Sequence, residues 1–140
     1  MHAALRSAAF TIVLALASGF LTSQAAHAGE LDGAWTNDKD ACEGVFTQTG
    51  GKIVFAKNAD FYGSGFVIDG KIIRGKAATC KIKSMSKRGN RIHIAAACAT
   101  DIMLSDTQFD LTLGQDGSLT RSFPGMPEIN MTYQRCAFSR

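Results

Sequence analysis

Very few residues in this chain could carry chemistry. Past residue 28 the sequence holds a single histidine, His93, and so one ordinary general base near neutral pH. It sits in "RIHIAAAC", with no serine and carboxylate spelled beside it as a nucleophile and its orienting partner would require. The carboxylate pairs Asp38/Asp40 and Asp101/Asp106 fall where turns are expected, and capping and solvation account for them there. "NDKD" (residues 37–40) offers oxygens for calcium but lacks the rest of a calcium loop. The glycines of "GSGFVIDG" (residues 63–70) are misplaced for a dinucleotide turn, and no helix follows them. Four cysteines, Cys42, Cys80, Cys98 and Cys136, include no Cys-x-x-Cys pair, and one histidine does not complete a zinc set. The expectation is a protein without metal or cofactor, and not an enzyme.

Residues 1–28 read as a secretory signal. Arg6 supplies the positive end, residues 8–21 the apolar run, and Ala26-His27-Ala28 the small residues before a cut at Gly29. The apolar run is shorter than the roughly 20 residues a membrane span needs. No transmembrane span is expected, and the destination is the periplasm or the exterior. The remaining 112 residues, 29–140, suit a single domain with one modest core. An even number of cysteines in a small exported domain reads as disulfides.

The elements that must position these side chains are strands. Short alternating segments recur with turn signals between them: residues 33–36, 52–56 ("KIVFA"), 61–68 ("FYGSGFVI"), "KIIRG" after Asp69-Gly70, "TCKIKSM" and "RIHIAAAC" across "SKRGN", "QFDLTL" and "LTRSF" across "GQDGS", and finally "INMTYQRC". A helical turn or two is expected near residues 38–43, capped by Asn37 or Asp38. This pattern predicts an all-β fold, a small antiparallel up-and-down barrel of about eight strands, because closure removes the exposed edges an open sheet must protect.

The middle hairpin has a testable register. With Cys80 opposite Cys98, Ile82 faces Ala96 and Ser84 faces Ile94 on one side. Lys81, Lys83 and Met85 then face Ala97, Ala95 and His93 on the other, which sorts an apolar face from a basic one. Of the three possible connectivities this supports Cys80–Cys98, and leaves Cys42–Cys136 to clip the first strand region to the last.

"LDGAW" near the start of the mature chain, followed by hairpins over this length, resembles the lipocalin-like barrels. In size and export it is similar to the small periplasmic metalloprotease inhibitors of Gram-negative bacteria, and to uncharacterised exported proteins of alphaproteobacteria. The resemblance implies that Gly33 and Trp35 plug one barrel end, with Arg135 of "YQRC" laid across the indole. It also implies that an N-terminal arm, here only residues 29–32, projects towards a target.

Charge is unevenly spread. Residues 70–100 hold Lys71, Arg74, Lys76, Lys81, Lys83, Lys87, Arg88 and Arg91 and no acid, within a mature chain of net charge +2. Lys81, Lys83, Lys87, Arg88, Arg91 and His93 form a candidate anion-binding face for lipid headgroups, acidic polysaccharide or an acidic envelope protein. Nucleic acid is not expected, since no aromatics interleave with these charges. "SFPGMPEI" holds both prolines. They should stiffen a loop and stop the strand, so that Phe123, Pro124, Gly125, Met126 and Pro127 form a second candidate surface. The reading is a monomeric, non-catalytic binding or inhibitor-type protein. The alternative is a small-ligand carrier using the barrel interior, which large inward Phe and Ile side chains would tend to fill.

Overall fold

The computed structural model describes residues 28–60 and 65–138. Residues 1–27 of the expected signal segment and residues 61–64 of the strand expected at 61–68 lie outside them. The described residues form ten strands: β1 (Gly33–Thr36), β2 (Phe46–Thr49), β3 (Lys52–Phe55), β4 (Gly65–Asp69), β5 (Ile72–Arg74), β6 (Thr79–Arg88), β7 (Arg91–Ala99), β8 (Leu104–Leu113), β9 (Leu119–Phe123) and β10 (Met126–Arg135). Two short helices, α1 (Ala28–Leu31) and α2 (Cys42–Val45), flank β1, and a 3-10 turn at Lys39–Ala41 is capped by the Asp38 side chain. Eight strands close an antiparallel barrel in the order β1-β10-β9-β8-β7-β6-β5-β4, and β4 returns to β1. Among the described residues, no helix is long and apolar enough to cross a membrane.

"KIVFA" is a strand but not a barrel strand. β2 and β3 pair only with each other across Gly50-Gly51. Their Phe46 and Phe55 rings, 5.2 Å apart, lie over the outside of the barrel, where Ala34, Val67 and Cys136 complete a second small core. β4 can therefore reach β1 directly. At Gly65 the approach is so close that a β-carbon would run into the Trp35 carbonyl oxygen.

Both disulfides join the expected partners. Cys42–Cys136 spans 94 residues and ties α2 to the end of β10; Cys80–Cys98 is a directly opposed pair across β6 and β7, with Cα atoms 3.9 Å apart. The register of that hairpin holds only as far as Ile82↔Ala96. A bulge at Lys83 then shifts it by one residue, giving Ser84↔Ala95, Met85↔Ile94, Ser86↔His93, Lys87↔Ile92 and Arg88↔Arg91. The shift has a simple driving force: it removes Ser84 from the core face and puts Met85 there, packed against the main cluster.

Smaller departures have equally local causes. The β4–β5 turn is Gly70-Lys71 rather than Asp69-Gly70, because Asp69 pairs with Ile72. Pro127 does not stop a strand. The β9–β10 turn is only Pro124-Gly125, β10 starts at Met126, and Pro127 sits where the ladder is interrupted between Met126 and Asn130. The N-terminal arm does not project. Leu31 is fully buried, and the Asp32 carboxylate accepts the Gly70 N–H at 3.0 Å.

Candidate functional site

One end of the barrel is closed and the other is open. At the closed end Trp35 is fully buried, and its indole N–H donates to the Leu31 carbonyl at 2.8 Å. The Arg135 guanidinium lies over that ring, 4.3 Å from its centre, and donates to the carbonyls of Glu30 and Asp32. Gly33, at φ +134, leaves room for the arginine: a β-carbon there would come within 3.3 Å of its Nη1. Lys87 belongs to this end too. The bulge turns it onto the inner row, where it pairs with Glu30 of α1.

At the opposite end a cavity of about 420 Å³ enters the barrel. The barrel interior is thus not wholly filled by its large side chains. Phe66, Ile73, Phe109, Leu111, Met131 and the Cys80–Cys98 bridge make its walls mainly apolar. Phe66 and Tyr133 meet edge to face, with ring centres 4.9 Å apart. One cation stands among them. Arg121, on β9, alternates with Leu119 and Phe123 and so faces inward. Its guanidinium carbon lies 4.6 Å from the ring centres of both Phe109 and Phe123. Its Nε is buried and has no hydrogen-bond partner among the described residues. Desolvation lowers the affinity of this guanidinium for its proton, while Tyr133 nearby counters that effect. Burial raises the Tyr133 phenol above its ordinary value, so it stays a neutral donor. Its hydroxyl donates to the Met131 sulfur at 3.6 Å. Apolar walls, one desolvated cation and one phenol can hold an apolar molecule by its body and an anionic head by the arginine.

The sequence-predicted cationic face is split. Lys81 is exposed on the outside of β6. Lys83 pairs with Asp106 at 2.6 Å, and Lys87 has turned to the closed end. His93 is not surrounded by cations as the unbroken register implies: its Nδ1 lies 2.6 Å from Asp110 Oδ1. Only Arg88 and Arg91 remain together with it. The bulge also brings Ser86 opposite His93, so Ser86, His93, Asp110 and Ser122 run side by side across four strands. No hydrogen bond joins Ser86 to His93.

In the second candidate surface, Phe123 is half-buried under Arg121 and Met126 is exposed, with Pro124-Gly125 as the turn between them. The sequence reading missed Arg121. The signal was present in "LTRSF", where alternation from Leu119 puts position 121 on the inner row. Among the described residues no group of histidine, cysteine and carboxylate side chains is placed to hold a metal. No family model, curated protein or solved structure matches this chain.

Proposed function

We propose that this is an exported, monomeric, non-catalytic binding protein of lipocalin-like type that carries a small apolar anion in the open end of its barrel. The observation that carries this reading is Arg121: a guanidinium inside an apolar cavity, its Nε unpartnered among the described residues. Arg121 is partly withdrawn from water and leans on two rings and Tyr133, and among the described residues no carboxylate lines the cavity beside it, so an anion entering there would complete it. A carboxylate on an aliphatic or aromatic body matches both the charge and the walls, and 420 Å³ lies within the range of small-molecule sites. Ile102, Met103 and Leu104, all exposed, lie at this same end and give the mouth an apolar rim. The folded-back arm and the ion-paired Lys83 and Lys87 give less support to action through the N-terminus or the whole basic face. Decanoate titrated into the mature protein by calorimetry should bind saturably at one site per chain, and native mass spectrometry should show a one-to-one adduct. Absence of both would refute the proposal.

A further inference from the structure

The outer surface of the barrel carries a second concavity, separate from the lumen. It measures about 540 Å³ and is lined on its polar side by Ser86, Arg88, Arg91, His93, Asp110, Thr112 and Ser122. Four strands build it, and the register shows how. One row across the sheet is Ser86–His93–Asp110–Ser122, and the next is Arg88–Arg91–Thr112. Directly opposed residues of an antiparallel pair share a face, so the two arginines stand side by side at the end of the β6–β7 hairpin.

That juxtaposition is the informative feature. Like charges directly opposite one another in a sheet are destabilising. Neither Arg88 nor Arg91 has an ion-pair partner among the described residues. The nearest acid in the row, Asp110, is already engaged by His93 Nδ1 at 2.6 Å. Engaging Nδ1 also fixes the imidazole so that Nε2 is the nitrogen left for a ligand. His93 and Asp110 are 44% and 42% exposed, so the groove is open to a solute.

We propose that this groove binds a phosphate or sulfate monoester, its oxyanion held between Arg88 and Arg91 and contacted by His93 and by the hydroxyls of Ser86 and Thr112; the Ser122 hydroxyl, also in the row, donates to Asn130 Oδ1 at 2.9 Å. The number of donors selects the ligand class. A carboxylate presents two coplanar oxygens, which match the edge of one guanidinium fork. A tetrahedral oxyanion on an ester linkage has three free oxygens, enough to engage two guanidiniums and a hydroxyl together. The β-sheet supplies rigidity: Ser86, Arg88, Arg91 and His93 are on the 10- and 9-residue strands β6 and β7, and Thr112 is on β8.

The test is a two-dimensional amide NMR titration of the mature protein at low salt with inorganic phosphate, with glucose 6-phosphate, and with vesicles of phosphatidylcholine with or without phosphatidylglycerol. Saturable shifts are expected at residues 86–93 and 110–112 with both soluble anions, glucose 6-phosphate binding at least as tightly. Phosphatidylglycerol, a singly charged diester, should add nothing over phosphatidylcholine. Arg88→Gln with Arg91→Gln should weaken glucose 6-phosphate binding at least tenfold while leaving the melting temperature in phosphate-free buffer unchanged or higher, because the opposed charges are gone. Arg121→Met should leave these shifts intact, which keeps the result independent of the luminal reading. The proposal is overturned if the soluble anions give no saturable shift, if the double variant binds glucose 6-phosphate as well as the parent, or if only the anionic vesicles bind.

Discussion

The Arg135 guanidinium rests 4.3 Å from the centre of the Trp35 ring and ties the carbonyls of Glu30 and Asp32 over it, so one side chain seals the barrel base and holds the N-terminal turn down. Trp35→Ala should destabilise by about 3–5 kcal/mol, as large-to-small changes in a packed core do. The parent, with a single tryptophan, should emit at short wavelength and resist quenching by iodide. Arg135→Ala should cost less, about 1–2 kcal/mol from the ring contact and its bonds to the carbonyls. Urea denaturation of both variants checks the order; an Arg135→Ala penalty larger than that of Trp35→Ala would contradict it.

The two disulfides should contribute unequally. In the loop-entropy model the bridge spanning 94 residues restricts the unfolded chain more than the one spanning 18, by about 1.5 kcal/mol. Replacing Cys42 and Cys136 by alanine should therefore lower the denaturation midpoint further than replacing Cys80 and Cys98. The reverse order would mean that packing of the Cys80–Cys98 bridge in the cavity wall outweighs chain entropy.

Tyr133 gives a pH signature. Burial raises its phenol in the folded state, so the folded protein holds this proton more tightly than the unfolded chain. The sign follows from linkage: stability from this group is fully present below the unfolded phenol value of about 10 and is lost as pH rises through the higher folded value. Ultraviolet titration at 295 nm should show one late-ionising tyrosine that Tyr133→Phe removes. Stability of that variant should fall less steeply above pH 10 than that of the parent.

Much of this architecture was legible because local rules and global closure agree. The bounds of β1, the turn at Gly89-Asn90, the cap at Asp38 and both disulfide partners follow from alternation, turn residues and cysteine register. Three features were not. β2 and β3 carry the same β-prone alternation as barrel strands, and they lie outside because β4 pairs directly with β1, where Gly65 lets the two backbones approach. The bulge at Lys83 adds one residue to a ten-residue strand, which period-two reading smooths over, although a serine at position 84 on an otherwise apolar face was the clue. The charge run from 70 to 100 looked like one surface because sequence alone does not show Asp106, Asp110 and Glu30 arriving from other elements to neutralise it.

The most direct test of the account compares decanoate with 1-decanol, which has the same chain and no charge, on the parent protein and on Arg121→Met. Methionine keeps the apolar packing but removes both the partly buried cation and its two ring contacts, opposing effects that should leave the melting temperature close to that of the parent. Calorimetry should show decanoate binding weakened at least tenfold, about 1.4 kcal/mol, with 1-decanol binding nearly unchanged. Arg121→Lys should recover part of the decanoate affinity. Equal decanoate binding by the parent and Arg121→Met would contradict the assignment of Arg121 as the anion-holding residue of the lumen.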